Sequence, residues 1–243
     1  MKQKVQVIFE DDAIIVVNKP PFYLAIPDRY AVEKANVLSF LSNTREKVFT
    51  VHRIDKETSG IMVFAKTQEA HKHLSQQFAQ RTVDKYYYTL VDGKMYLEEG
   101  EINKPIAPSP VRQEKMIISE NGKKSLTAFK VIEYFKHFTL VEANIKTGRT
   151  HQIRVHFESM GYPLAVDAIY GRREAFFLSE VKGKKYRLGK EQEERPLIRR
   201  SILHAQRIAF THPITEKRIE FSSDLPKDFD AVLKQLRKWD KDV

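Results

Sequence analysis

Apolar and polar residues alternate along the chain in short blocks, and most of these blocks predict strands. Two β-branched runs, residues 5–9 and 13–17, flank Glu10-Asp11-Asp12 and predict a hairpin with a tight acidic turn. Residues 61–65 are continuously apolar, which is typical of a buried strand. The same patterns predict later strands at residues 83–91, 126–133, 138–145, 203–210 and 218–221.

Helical periodicity appears between these strands. Thr67 is a suitable N-cap for a helix in which Ala70, Leu74 and Phe78 recur every four residues. A short amphipathic helix is predicted at residues 37–41, and prolines make residues 105–110 a predicted loop. Two later helices are predicted, one beginning near Arg149 with Ile153, Phe157 and Met160 on one face, and one capped by Asp224 with Phe229, Val232, Leu233 and Leu236 inward. The predicted fold class is α+β, a mixed and mainly antiparallel sheet flanked by helices.

The length of 243 residues fits one large domain or two small ones, at about 150 residues per domain. We predict a single domain over residues 1–243. Residues 172–200 form a charged insertion in which Lys182, Lys184, Lys185, Arg187 and Lys190 precede an acidic run. We expect this insertion to be a loop, either simply solvated or acting as an arm that contacts phosphates.

The composition narrows the class of partner. A net charge of +10 favours a polyanion, with nucleic acid as the leading candidate. The absence of cysteine excludes disulfides, thiolate metal sites and cysteine nucleophiles. Apolar runs of about five residues are far too short to span a membrane, and no signal peptide is apparent, so we expect a cytoplasmic protein.

Several common catalytic signatures are absent, including phosphate-binding glycine loops and the metalloprotease and serine-hydrolase motifs. His71 and His73 point to different faces of a helix, and His151 and His156 are five residues apart. This spacing argues against a metal site.

Two polar segments remain as candidates for chemistry. Residues 51–60 place His52, Arg53 and Asp55 in a connection directly before the buried strand, where a rigid sheet can fix catalytic side chains. By composition alone, Asp55 is more often a turn-forming or ion-paired residue. Residues 146–156 alternate apolar residues with cations, and are either a phosphate-binding helix N-terminus or simply a basic helix.

Together these segments resemble the RluA-type pseudouridine synthases, whose signatures are a His-Arg-hydrophobic-Asp block leading into Thr-Ser-Gly and a later Gly-Arg-Thr-His-Gln-hydrophobic-Arg block. The resemblance extends from about residue 5 to about residue 225, and includes Asn18-Lys19-Pro20 and the tyrosines at 86–88. There are two departures. Val166 stands before Asp167 where family members usually carry glycine. Many relatives also begin with a small RNA-binding domain, whereas this chain begins directly at the first strand of the catalytic domain. The resemblance therefore implies one catalytic domain over residues 1–243 with no separate N-terminal RNA-binding domain, and we expect that domain itself to bind RNA.

The resemblance implies isomerisation of uridine to pseudouridine in structured ribosomal or transfer RNA, without metal or cofactor. Asp55 matches the catalytic aspartate, acting as a nucleophile or as a base on the ribose. Arg154 matches the arginine that keeps this carboxylate ionised and correctly oriented. Tyr87 matches the active-site tyrosine, which stacks on the uracil and assists proton removal. Alternatively, Tyr87 is simply a tyrosine of the core. We expect Arg53, Arg149 and Lys19 to contact RNA. We expect His52 and His151 to make hydrogen bonds that position neighbouring groups.

Two other functions compete with this interpretation. A non-catalytic RNA-binding protein on the same fold would need cations and aromatic residues, but would have no use for a buried, arginine-paired carboxylate at Asp55. A metal-dependent nuclease would need clustered carboxylates, whereas the candidate segments bring only Asp55 and Glu57 close together. We therefore predict a monomeric RNA pseudouridine synthase.

Overall fold

The computed structural model describes residues 4–28, 31, 33–187, 189 and 193–242. The described strands are β1 (Gln6–Glu10), β2 (Ile14–Lys19), β3 (Phe49–Thr50), β4 (Ser59–Ala65), β5 (Asp84–Asp92), β6 (Glu99–Asn103), β7 (Ile106–Pro108), β8 (Met116–Ile118), β9 (Leu126–Tyr134), β10 (Phe138–Ile145), β11 (Leu203–Thr211) and β12 (Arg218–Ser222). The described helices are α1 (Val37–Ser42), α2 (Gln68–Gln80), α3 (Gln152–Glu158), α4 (Leu178–Lys182) and α5 (Lys227–Trp239), with a 3-10 turn at Gly183–Lys185.

The chain divides into two compact units, and each unit is built from two separate stretches of sequence. The first contains residues 1–87 and 204–224, and the second contains residues 88–203 and 225–243. The single catalytic domain expected from the sequence stays a prediction.

The first unit is a sheet covered by α2. β2 pairs antiparallel with β1 and with β4, while β4 pairs in parallel with β11, which in turn pairs antiparallel with β12. Every residue of β4 is buried. Ala70 and Leu74 of α2 pack against the apolar face of these strands. The predicted buried strand and the helix that follows it are confirmed.

Local signals set the ends of α2. The Thr67 hydroxyl accepts a hydrogen bond from the Ala70 N–H at 3.1 Å, which satisfies one of the free donors of the first turn. Arg81 follows the last turn with a φ of 61°, the left-handed conformation that commonly ends a helix.

The second unit combines an antiparallel sheet, a separate hairpin and three helices. β9 pairs antiparallel with β10 and with β6, and β7 pairs antiparallel with β8. The ring of Phe157 in α3 packs edge-on against Phe129 of β9, with centroids 5.8 Å apart. The predicted class, α+β with a mixed and mainly antiparallel sheet, is confirmed.

Three local predictions are wrong. Residues 105–110 are not a loop, because Ile106–Pro108 pairs with Met116–Ile118; the prolines lie outside or at the end of the paired stretch, where no ladder N–H is required. Pro226, rather than Asp224, precedes the first turn of α5. The third predicted helix begins at Gln152 and ends at Glu158, so Met160 lies beyond it.

The insertion at 172–200 is also more ordered than a loop. It contains α4 and the 3-10 turn, and the buried residues Phe176 and Ile198 lie on either side of them. The Phe176 N–H donates to the Ile198 carbonyl at 2.9 Å, and the Leu197 N–H donates to the Phe176 carbonyl at 2.8 Å. Arg200 is buried and donates two hydrogen bonds to Asp228, so it is not available to a phosphate. Lys190, Glu191 and Gln192 lie outside the described residues. No described helix has the length and hydropathy needed to cross a membrane.

Candidate active site

The segment that carries Asp55 is fixed by β4. Gly60 has a φ of 115°, and a Cβ at this position would come within 2.2 Å of the carbonyl oxygen of Ala205 in β11. Only glycine can therefore occupy the position where the two strands run in parallel. The Thr-Ser-Gly part of the motif thus serves to bring β11 against the strand that follows the Asp55 segment.

A buried histidine reinforces this junction. His204 Nδ1 lies 3.0 Å from the Ser59 hydroxyl and His204 Nε2 lies 3.0 Å from the Ser223 hydroxyl. A Ser–His pair at this distance could indicate a nucleophile and its base. Ser59 is 1% exposed and His204 is fully buried, so this pair has no access to a substrate. We assign it a structural role.

Lys19 holds the Asp55 segment from its other side. Its side chain is fully buried, and its ammonium donates to the carbonyl oxygens of Pro20, Tyr23 and Lys56 at 3.1, 2.8 and 3.1 Å. The expected contact between Lys19 and RNA does not fit this structure, because a buried ammonium bonded to three carbonyls does not face a phosphate. The lysine instead ties the turn after β2 to the residue that follows Asp55.

His52 is bound to the neighbouring strand. Its Nε2 accepts a hydrogen bond from the Val63 N–H at 3.0 Å, and its ring stacks on Phe78 with centroids 4.7 Å apart. Burial, with a smaller contribution from the charge of Lys85, lowers the pKa of His52 to about 3. The imidazole is therefore neutral near pH 7, and the nitrogen that faces Val63 carries no proton.

Tyr87 lies inside the first unit within electrostatic reach of Asp55. It is 7% exposed, and burial together with the negative charge of Asp55 raises the pKa of its phenol. The ring of Tyr86, the preceding residue, stacks on the Arg207 guanidinium, which lies 3.7 Å from the ring centroid. The alternation along β5 therefore selects Tyr87 as the buried member of the pair. It is a neutral phenol close to a carboxylate.

A cavity of about 380 Å³ opens beside the same segment. Arg53 and Lys56 contribute to it from either side of Asp55, and both are exposed. Its remaining lining residues are Leu24, Ala25, Ile26, Pro27, Asp28 and Ile54. The position of Arg53 is compatible with the RNA contact expected from the sequence.

In the second unit, Arg154 is bound by a carboxylate that the sequence analysis did not pair with it. The Arg154 Nε and terminal guanidinium nitrogen donate to the two oxygens of Asp167 at 2.6 and 2.7 Å, with both side chains buried. Asp167 also accepts hydrogen bonds from the N–H groups of Ile169 and Tyr170. The two parallel hydrogen bonds expected to reach Asp55 are therefore made to Asp167, and a contact between Arg154 and Asp55 stays a prediction.

Tyr170 completes the surroundings of Arg154. The guanidinium lies over its ring at 4.9 Å from the centroid. The Tyr170 hydroxyl accepts a hydrogen bond from the Met116 N–H at 2.7 Å and lies 3.0 Å from His151 Nδ1. His151 therefore contacts the tyrosine that lies against Arg154, and its role in positioning the site stays a prediction. The sequence analysis noted Asp167 only as the aspartate that follows Val166, and this position gave no indication of its partner.

Gln152 organises the start of α3. Its side-chain oxygen accepts from the Thr147 hydroxyl at 2.7 Å and from the Arg149 N–H at 3.0 Å. Its side-chain nitrogen donates to the carbonyl of Leu126 and to the hydroxyl of Thr127. The Arg149 guanidinium approaches the carbonyl oxygen of Lys124 and is half-buried, so its outer edge faces solvent. Within the described part of the chain, no group of three or more His, Asp or Glu residues could hold a metal ion.

This fold and these motifs identify the family. The family model described as RNA pseudouridylate synthase matches residues 13–159. The chain belongs to the RNA pseudouridine synthases, enzymes that isomerise uridine to pseudouridine in RNA.

Relatives place it within the RluA-type group. The chain is 34% identical over 242 residues to the ribosomal large subunit pseudouridine synthase D of Zymomonas mobilis, covering 95% of this chain and 72% of the relative. It is 37% identical over 233 residues to the ribosomal large subunit pseudouridine synthase C of Vibrio vulnificus, covering 95% and 69%. Human RNA pseudouridylate synthase domain containing 4 has the same fold, with a TM-score of 0.72 at 22% identity over 96% of this chain and 93% of that chain.

Proposed function

We propose that this enzyme forms pseudouridine in large-subunit ribosomal RNA, with Asp55 as its catalytic carboxylate. The names of the two relatives support the choice of RNA, since both are ribosomal large subunit synthases. The observation that carries the assignment of Asp55 is its position within electrostatic reach of the buried Tyr87, on a segment fixed by Lys19 and Gly60.

The proposed roles follow from these surroundings. Asp55 adds to a carbon of the substrate as a nucleophile or takes a proton from the ribose as a base. Tyr87 presents a neutral ring and hydroxyl to the uracil; because its pKa is raised, it stacks or donates a hydrogen bond at neutral pH rather than acting as a phenolate. Arg154, held by Asp167, supplies positive charge in a fixed direction.

RNA recognition at this site requires the target uridine to leave its stack. The exposed Arg53 and the outer edge of Arg149 are the proposed contacts to the displaced strand. We also propose that the enzyme acts as a monomer in the cytoplasm, where ribosomal RNA is modified.

The central test is Asp55→Asn, which keeps the volume of the side chain and removes its charge. We expect pseudouridine formation in a single turnover to fall by at least about 10²-fold, while RNA affinity stays within a few-fold. The substrate is protein-free large-subunit ribosomal RNA from cells that lack the gene. Asp12→Asn, the same change at an exposed carboxylate of the first unit, is the matched control. An Asp55→Asn rate above about a hundredth of the wild-type rate contradicts the assignment.

The target RNA needs a separate experiment. Pseudouridine maps of total RNA from cells with and without the gene should differ at one or more positions in large-subunit ribosomal RNA. A difference confined to transfer RNA would show that the proposed substrate is wrong, and would leave the assignment of Asp55 intact.

A further inference from the structure

Phe22 adopts a backbone conformation that phenylalanine rarely adopts. Its φ is 67°, in the left-handed region, where a bulky L residue meets its own backbone. Glycine occupies this region without strain. A large aromatic side chain at this position therefore carries an energetic cost that the chain could avoid.

Burial of the side chain does not repay this cost. Phe22 is 52% exposed, so about half of its surface remains in water. The conformation is instead imposed by the surroundings of the backbone. The Phe22 N–H donates to the carbonyl of Lys56 at 2.8 Å, and the buried Lys19 ammonium binds carbonyls on both sides of Phe22, those of Pro20 and Tyr23. A strained residue held in this way and left exposed is typical of a functional position.

The position of Phe22 suggests its ligand. Lys56, which accepts the Phe22 N–H, directly follows Asp55. The residues from Leu24 to Asp28 then line the cavity that Arg53 and Lys56 also line. An exposed aromatic ring on a segment joined to two exposed cations suits a ligand with both a flat π-face and negative charge. RNA offers both, whereas an apolar protein surface lacks the negative charge.

We infer that Phe22 is a stacking platform for an unpaired nucleobase next to the target uridine. This inference rests on the proposed function of the Asp55 segment. Stacking on Phe22 holds the flanking nucleotide after the uridine has been extruded, and the rigid turn keeps the ring at a fixed angle. The strained conformation is then maintained for binding, and an RNA without an accessible base beside its uridine is a poorer substrate.

The test compares Phe22→Gly, Phe22→Leu and Phe22→Trp. Affinity for protein-free large-subunit ribosomal RNA is measured in an Asp55→Asn background, so that turnover is slow compared with binding. We expect Phe22→Gly and Phe22→Leu to bind about 5- to 100-fold more weakly and Phe22→Trp to bind as wild type. The Tm of Phe22→Gly should equal or exceed that of wild type, because glycine relieves the strain.

Phe22→Trp also gives a direct signal. The wild-type chain has one tryptophan, Trp239, which supplies the background fluorescence. A tryptophan at position 22 that stacks on a base should be quenched by the RNA beyond this background. Glu216→Gly is the matched control, because Glu216 is also exposed with a positive φ, at the turn between β11 and β12, and its replacement should leave RNA affinity unchanged.

The outcomes separate this inference from the proposed function. Wild-type affinity in Phe22→Gly or Phe22→Leu, or the absence of added quenching in Phe22→Trp, overturns the role of Phe22 even if wild type forms pseudouridine in this RNA. Failure of the wild-type enzyme to modify this RNA overturns the proposed substrate. The affinity and fluorescence results do not depend on turnover.

Discussion

Arg154, Lys19 and Arg200 are three cations that the structure buries, each against oxygen acceptors from another part of the chain. From sequence alone, arginine and lysine are expected on the surface, because burying a charge is costly unless the charge is paired. Arg154 pairs with Asp167, thirteen positions away, and Lys19 reaches Lys56, 37 positions away. Nothing in the local pattern identifies such partners.

Arg154→Lys preserves the charge but should not preserve activity. Lysine cannot make the two parallel hydrogen bonds to Asp167 that fix the direction of the guanidinium. We expect turnover to fall nearly as far as in Arg154→Ala, on the order of 10²-fold, with a smaller change in RNA affinity. Single-turnover rates and filter binding separate the two effects, and circular dichroism establishes that each variant is folded.

Arg207→Lys provides the comparison, since Arg207 is a partly exposed arginine that stacks on Tyr86 and pairs with Glu220. Its turnover should stay close to wild type. Near-wild-type turnover by Arg154→Lys would remove Arg154 from the catalytic group and leave it a general contact.

His52 should make stability depend on pH. Its pKa is about 3 in the folded protein and about 6.5 when unfolded. Both states are neutral above pH 6.5, so the contribution of His52 is fully present there. It is lost as the pH falls from 6.5 toward 3, because only the unfolded chain binds the proton, at a cost of about 1–2 kcal/mol by pH 5.

His52→Gln keeps a hydrogen-bond acceptor for Val63 and does not titrate. Denaturant unfolding at pH 7.5 and pH 5 should therefore show a smaller loss of free energy in the variant than in wild type. An equal loss of unfolding free energy in both proteins would mean that His52 is protonated in the folded protein at pH 5.

At the scale of elements, the parallel pairing of β4 and β11 decides whether the Asp55 segment is held. Gly60→Ala forces a φ of 115° on alanine and places its Cβ within 2.2 Å of the Ala205 carbonyl oxygen. We expect the free energy of unfolding to fall by about 2–4 kcal/mol and pseudouridine formation to fall with it.

Gly148→Ala is the control for this prediction, because a Cβ there meets nothing within 4 Å. Its unfolding free energy should stay near that of wild type. A Gly60→Ala protein as stable as Gly148→Ala would show that β4 and β11 can separate without loss.

Elements with a strong local signal were predicted from the sequence. Thr67 and the four-residue spacing of Ala70 and Leu74 define α2, and the apolar run of 61–65 defines the centre of β4. The short β7 and β8 were missed because their pairing is set by each other rather than by either segment alone. α4 was missed because its five residues carry little periodicity. The Asp55 and Arg154 positions came from motifs, while their surroundings depend on contacts distant in sequence.

Charge operates at the scale of the whole molecule. The net charge of +10 predicts an RNA affinity that falls steeply with salt, by about 0.7–0.9 log units per log unit of salt for each phosphate contacted. Positive charge is also concentrated locally around Trp239. The ammonium groups of Lys182, Lys185 and Lys238 lie 5.1, 5.7 and 5.1 Å from the centre of its ring. Such a cluster favours the phosphate-contacting form of the insertion.

Replacing Lys182, Lys184 and Lys185 together by glutamine should make the salt dependence of RNA affinity shallower by about two units of slope. The comparison is a triple glutamine variant at Lys47, Lys72 and Lys217, three exposed lysines of the first unit. Filter-binding titrations between 50 and 300 mM salt give both slopes. Equal slopes in the two variants would leave the insertion as a solvated segment.

The pairing of β4 with β11 also has a consequence for biosynthesis. Ser59 and His204 are 145 positions apart, so the Asp55 segment cannot be locked until residue 204 has been translated. Until then β4 lacks its parallel neighbour, and closing so long a loop costs entropy before the pairing returns any free energy. Nascent chains shorter than this should be inactive, and folding of the intact chain should be limited by the arrival of β11. Catalytic competence is therefore acquired late, in one step, when the sheet of the first unit closes around its last strands.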